Sequence, residues 1–319
     1  MSAETGAPPP RAKLPAPVRL LVFVVVTAAA ATVLSRLVRL AFDRAWLFNG
    51  SSERAQLVFS LVVVLALLAA HVLCLRVLDR EPWSAVFMDR RAARPSVLGA
   101  GALLGAVTVA VPTLLLLGGR WFHVVEAPDG SWLGQAWWLL LFLAPAALWE
   151  ELAFRGYLFS VLRRWLGPAV AIGATSIVFG LIHLSNPGAE ARSTVLVILA
   201  GVFLGGIMLA TRSLYAAWAA HLAWNWMMAA VLHTPVSGAA FSMPDYQMVE
   251  TGPDWATGGP WGPEGGAAAA LSMLAALYLL VRRAPGWWRP DDARHSPSSP
   301  APAAADDQAV VAVAPRQPE

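Results

Sequence analysis

The sequence predicts an all-α fold, a polytopic transmembrane helical bundle of about eight spans. Three observations predict it. Hydrophobic residues make up 57% of the 319 residues against 13% charged, the mean hydropathy is +0.57, and apolar windows recur along nearly the whole chain at about 20 residues, the length of helix that crosses a bilayer core. A water-soluble domain of this size does not carry so little charge.

The windows place spans at roughly 18–40, 55–79, 96–118, 136–162, 168–185, 193–211, 213–233 and 266–283. They divide the chain into a tail at 1–17, N-terminal membrane helices over 18–135, a polar-bearing core at 136–233, an outer loop at 234–265, a last helix at 266–283 and a second tail at 284–319. Both tails are rich in Pro, Ala and polar residues and bury too little apolar surface to order themselves. Cationic residues fall in alternate loops: Arg76, Arg80, Arg90, Arg91 and Arg94, then Arg163 and Arg164, then Arg212, then Arg282 and Arg283. By the positive-inside rule these loops and both termini are cytoplasmic, in the inner (cytoplasmic) membrane of a cell. The opposite loops agree, since 234–265 carries Asp245, Glu250, Asp254 and Glu264 with no Lys or Arg. The first hairpin, with Asp43, Arg44, Glu53 and Arg54, does not follow the pattern.

The net charge of +3 is spread over these loops with no contiguous basic stripe, so nucleic acid is not an expected partner. The lipid bilayer is. Cys74 is the single cysteine, which rules out an intramolecular disulfide and a thiolate metal cluster and leaves a small buried hydrophobe.

Three polar constellations interrupt the apolar spans, where an ionisable side chain is disfavoured by roughly 2.5–3.5 kcal/mol at the helix centre. The first is Glu150, Glu151 and Arg155, spaced EExxxR. Glu151 and Arg155 stand at i and i+4, acid before base, the favoured order for a helical pair. Glu150 points about 100° away and is left as a free carboxylate. The second is Phe179 and His183 in 176-SIVFGLIHLSN-186, and the third is His221 and Asn225 in 221-HLAWN-225. Each pair shares a helix face, and an imidazole with a carboxamide can donate two hydrogen bonds to one oxygen. Read singly, each constellation is equally suited to holding helices together. Counted from the cytoplasmic ends, all three reach the inner half to middle of the membrane, so side chains of the fourth, fifth and seventh spans can meet in one cavity. His71 has no such company and is expected to be structural.

Smaller features are also readable. The GxxxG patterns at Gly101 and Gly105, and at Gly201 and Gly205, mark either a helix dimer or close packing within one bundle. Pro112 and Pro145 fall inside spans and should loosen them. Trp255 and Trp261 in the outer loop suit an aromatic anchor at the membrane interface.

The ordered set EExxxR, FxxxH and HxxxN resembles the CPBP family of intramembrane proteases, which groups type II CAAX prenyl endopeptidases with bacterial Abi and bacteriocin-immunity proteins. The stretch 201-GVFLGGIMLATRSLYAAWAAHLAWN-225 resembles the family's last motif region, and the resemblance covers about 136–233. It implies an endopeptidase acting on a membrane-associated protein or peptide. Glu150, helped by His183, would activate a water, His221 and Asn225 would stabilise the oxyanion, and Glu151, Arg155 and Phe179 would support the site. Two chemistries fit this donor set. The one adopted is a glutamate-activated water with no obligatory cofactor; in the other, Glu150, His183 and His221 would hold a zinc ion with water as its fourth ligand. No HExxH is present to demand a metal. Two other classes of function share these residues: a non-proteolytic scaffold or immunity protein that binds a partner through the same cavity, and an ion-coupled carrier, since buried Glu and His also suit proton relays.

Overall fold

The computed structural model describes residues 14–41 and 52–284. Most of the two expected tails, together with Asp43 and Arg44 of the first hairpin, lies outside the described residues. Apolar sequence becomes helix nearly throughout: α1 (Ala16–Ala41), α2 (Ser52–His71), α3 (Pro95–Gly118), α4 (Trp132–Arg155), α5 (Tyr157–Leu166), α6 (Pro168–Ile182), α7 (Ala191–Thr211), α8 (Leu214–Trp226) and α9 (Ala267–Arg283). Two π-helical turns, Val72–Leu78 and Met227–Val231, extend α2 and α8.

Among the described residues six segments are long and apolar enough to cross a membrane: Ala16–Ala41, Glu53–Leu78, Pro95–Gly118, Trp132–Leu166, Pro168–Ser185 and Ala191–Thr211. The two remaining predicted spans correspond to α8 with its π-helical turn and to the 17-residue α9. Large apolar side chains stand on the outside of these helices, among them Leu21, Leu103, Leu115, Val195 and Leu271, each more than 60% exposed. A surface this apolar is suited to lipid. The protein is a multi-pass helical membrane bundle.

Helix starts follow local chemistry. Pro95 and Pro168 open α3 and α6, where a missing N–H costs nothing. Ser131 caps α4 by accepting from the Gly134 N–H, and a reciprocal Glu190–Ser193 capping box opens α7. Ser213 caps α8 by accepting from the Ala216 N–H at 3.0 Å while donating to the Ala92 carbonyl at 2.7 Å. That second bond ties the start of α8 to the loop before α3.

The glycines are seams within one bundle. A Cβ on Gly101 or Gly105 of α3 would run into the carbonyls of Ala216 and Ala220 on α8, and one on Gly201 of α7 would meet Ser176 of α6. Indole donors then join α4 to α8. Trp218 donates to the Ala144 carbonyl at 2.9 Å, Trp226 to the Ala136 carbonyl at 2.9 Å, and Trp132 of α4 to the Ala230 carbonyl at 2.7 Å. Ala144 precedes Pro145, so the loosened stretch of α4 has an extra donor on the face turned to α8. Around this frame lie two apolar clusters. One is built on Phe23, Leu75, Leu152, Tyr157 and Phe159, and the other on Leu139, Phe142, Phe203, Ile207 and Met273.

Three expectations need correction. The 136–162 span is two helices, because the chain breaks at Gly156 between α4 and α5. His183 does not sit within the α-helix itself: α6 ends at Ile182 and His183 begins a 3₁₀ turn, His183–Ser185, that continues it. Trp261 is no interfacial anchor, being 2% exposed and packed with Phe179 and Val197, whereas Trp255 is exposed. The outer region also contains a two-stranded antiparallel ladder, β1 (Phe122–Glu126) with β2 (Tyr246–Glu250), in which Phe122 lies opposite Glu250.

Candidate active site

Glu150 and Glu151 lie in the last turns of α4, just before the chain breaks, and the helix phase gives them different surroundings. The Glu151 side chain is fully buried. Its Oε1 accepts from Arg155 Nη1 at 3.2 Å and from His221 Nδ1 at 2.9 Å. Arg155 in turn donates through Nη2 to the Gly201 carbonyl of α7 at 3.1 Å and lies over the Phe179 ring of α6, 4.5 Å from its centroid. One guanidinium therefore ties α4 to both α6 and α7, a use of its planar fork that an ammonium could not copy.

Glu150 faces the other way round His221. Its Oε2 is buried, has no hydrogen-bond partner among the described residues and lies 3.8 Å from His221 Nε2. The imidazole is thus set between two carboxylates, Nδ1 towards Glu151 and Nε2 towards Glu150. Because a carboxylate only accepts, the Glu151 contact fixes the proton on Nδ1. His183 is oriented by a different partner: its Nδ1 lies 2.7 Å from the Phe179 carbonyl, which leaves Nε2 as the free nitrogen. The Phe179 ring packs on His183 with centroids 4.7 Å apart and meets His221 edge-on at 6.1 Å.

His183, His221 and Asn225 line one cavity of about 30 Å³, together with Trp224, Ser237 and Glu264. A cavity needs roughly 10–15 Å³ of such space to hold a water, so this one is large enough for water. The structure adds histidine contacts that the sequence does not reveal. The sequence gives no sign that His221 is the ring held between the two carboxylates, or that His183 is anchored to backbone through Nδ1. Periodicity within one helix reveals the Glu151–Arg155 pair, but it carries no information about contacts from α8.

This segment belongs to a known family. Residues 132–227 match the family model described as type II CAAX prenyl endopeptidase Rce1-like. They form a CPBP-family domain. The matched region runs from the start of α4 to the end of α8, so it contains every residue of the three constellations and less than a third of the chain. No curated protein and no solved structure matches the chain. The Rce1-like domain is that of an intramembrane CAAX-type protease family, in which hydrolysis is the family-level activity.

Among the described residues no three His, Cys, Asp or Glu side chains are grouped as ligands of one ion. His221 Nδ1 and His183 Nδ1 are engaged by Glu151 and by the Phe179 carbonyl, which leaves Nε2 of each ring free, as in a histidine ligand held by its other nitrogen.

Sequence reasoning passed over three cavity residues, Trp224, Ser237 and Glu264. Trp224 was readable only as part of the HxxWN ending, and Glu264 only as one of four acids in the outer loop. Their proximity depends on how that loop folds back over α8.

Proposed function

We propose that this protein is an intramembrane endopeptidase that hydrolyses a peptide bond of a membrane-associated protein or peptide, in the inner membrane and with both termini in the cytoplasm. The observation that carries the reading is the buried, unpartnered Glu150 Oε2 beside an imidazole that lines a water-sized cavity, all within an Rce1-like domain.

Each group has a role that its surroundings suit. Glu150, assisted by the free Nε2 of His183, takes a proton from water as the water oxygen bonds to the scissile carbonyl carbon. The carbonyl π pair moves to oxygen, and the resulting oxyanion accepts from Asn225 and from Nε2–H of His221, whose ring enters the step as the imidazolium with its Nδ1–H on Glu151. As the tetrahedral intermediate collapses, the C–N bond breaks and Glu150 returns its proton to the leaving nitrogen. Glu151 holds His221 by Nδ1, and Arg155 with Phe179 holds Glu151. The cationic distribution over alternate loops supports the orientation.

The test compares new protein termini, by mass spectrometry, in host membranes carrying the wild-type chain or Glu150→Gln at matched expression. Termini formed only with the wild type are expected, and they name the substrate. Identical termini, with a partner protein retained equally by both versions, would overturn the reading in favour of a binding protein.

A further inference from the structure

Glu264 belongs to the loop between α8 and α9, outside the matched domain, yet it lines the same cavity as His183, His221 and Asn225. It is 8% exposed. Oε1 accepts from the Ser237 backbone N–H at 2.7 Å and from the Ser237 hydroxyl at 2.6 Å, while Oε2 accepts from the Trp224 indole N–H at 3.0 Å. A carboxylate offers about four acceptor positions, and three are filled by neutral donors. A general base needs a lone pair turned to its substrate, so this occupancy suits a holding role and not a proton-moving one.

The loop is built to bring the carboxylate there. Gly258 and Gly262 take φ of 105° and 102°, open to glycine without strain. A Cβ on Gly262 would strike the Pro235 carbonyl, and one on Gly266 the Ala256 carbonyl. The Gly238 N–H donates to the Trp261 carbonyl at 3.0 Å, and the Trp261 ring is buried against Phe179 and Val197. The segment is packed like core. On the other side of Glu264, Trp224 immediately precedes Asn225 and follows His221 by three residues, so it shares the turn of α8 that presents both.

We propose that Glu264 is a positioning residue of the site: by holding Ser237 with one oxygen and Trp224 with the other, it latches the outer loop onto α8, closes the cavity on that side and fixes the His221–Asn225 face. The catalytic consequence rests on the peptidase reading given above; the latch does not.

The test therefore has two readouts on the full-length protein in membranes. The first is the rate at which a membrane-impermeant methanethiosulfonate labels Val197→Cys, a cavity-lining position, in a Cys74→Ala background. Opening the latch with Glu264→Ala is expected to raise that rate by about tenfold, as a local opening becomes more populated. The second is kcat against KM for Glu264→Gln, whose amide serves Ser237 but sets a donor against the indole N–H. Its kcat should fall about tenfold at nearly constant KM, the rate equivalent of one lost charge-assisted hydrogen bond. Trp224→Phe should do the same, and the double variant should fall no further. Faster labelling when no version cleaves any protein would uphold the latch and sink the peptidase reading. Wild-type labelling and wild-type kcat in both Glu264 variants, with an active parent, would overturn the inference and leave the peptidase reading standing.

Discussion

The Glu151 carboxylate of α4 accepts the Nδ1–H of His221 on α8 at 2.9 Å, and the same oxygen accepts from Arg155 at 3.2 Å. Two helices of the Rce1-like domain are thus joined at one buried atom. The arrangement makes Arg155 the counter-charge on which the position of His221 depends.

Arg155→Ala should consequently unfold or misassemble the protein rather than merely slow it. It leaves the Glu151 carboxylate buried without a cation, removes the bond to the Gly201 carbonyl and bares the Phe179 face. Breaking a buried pair from one side costs about 3–5 kcal/mol. The measurement is thermal unfolding in detergent together with yield in the membrane. Arg155→Lys should recover little, because one ammonium cannot reach Glu151 and Gly201 and cover the ring as well. Wild-type stability for Arg155→Ala would contradict this account of the site.

Asn225 gives the opposite expectation. It lines the cavity at the edge of the Trp224 turn, and its proposed work is confined to the oxyanion. Asn225→Ala should lower kcat by about 100-fold or more, the usual loss for one oxyanion donor, while thermal stability changes little. Equal losses of stability and rate would mark Asn225 as interhelical glue instead.

How far the sequence specified this architecture depends on the range of the interaction. The helical spans, though not the break between α4 and α5, follow from apolar length, Pro and Ser/Glu caps, and the Glu151–Arg155 pair follows from i and i+4 spacing, because these are local. The β1–β2 ladder joins residues more than a hundred positions apart through two five-residue strands, too short for alternation to stand out. Trp261 and Glu264 sit in a stretch dense with Gly and Pro, whose composition reads as exposed loop; only the close backbone approaches at Gly262 and Gly266 turn it into core. The His221 link to Glu151 spans 70 residues and depends on how α4 and α8 are set by their indole bonds. The residue types that meet around this cavity are therefore readable, and the contact between His221 and Glu151 is not.

The break after Arg155 illustrates the same limit and yields the last prediction. Apolar residues continue on both sides of Gly156, so nothing in the pattern separates α4 from α5. In the structure the Tyr157 N–H, which would otherwise serve the helix, donates instead to His71 Nε2 at 3.0 Å, while His71 Nδ1 lies 2.7 Å from the Leu67 carbonyl. With Nδ1 carrying the proton, Nε2 is left as the acceptor that Tyr157 needs. A Cβ on Gly156 would collide with His71 Nε2 and the Leu152 carbonyl, so this position requires glycine for space. His71→Ala should leave a buried N–H unsatisfied, at a cost of about 1–3 kcal/mol, and should create a cavity beside Phe23, which meets the ring edge-on and stacks on Tyr157. Gly156→Ala should destabilise by a similar amount through overpacking, about 1–3 kcal/mol. Because the displaced turn carries Arg155, both variants should also lower kcat. Thermal unfolding and turnover measured on the same preparations decide the matter: a Gly156→Ala protein as stable and as active as the wild type would mean that the break can shift without disturbing Arg155.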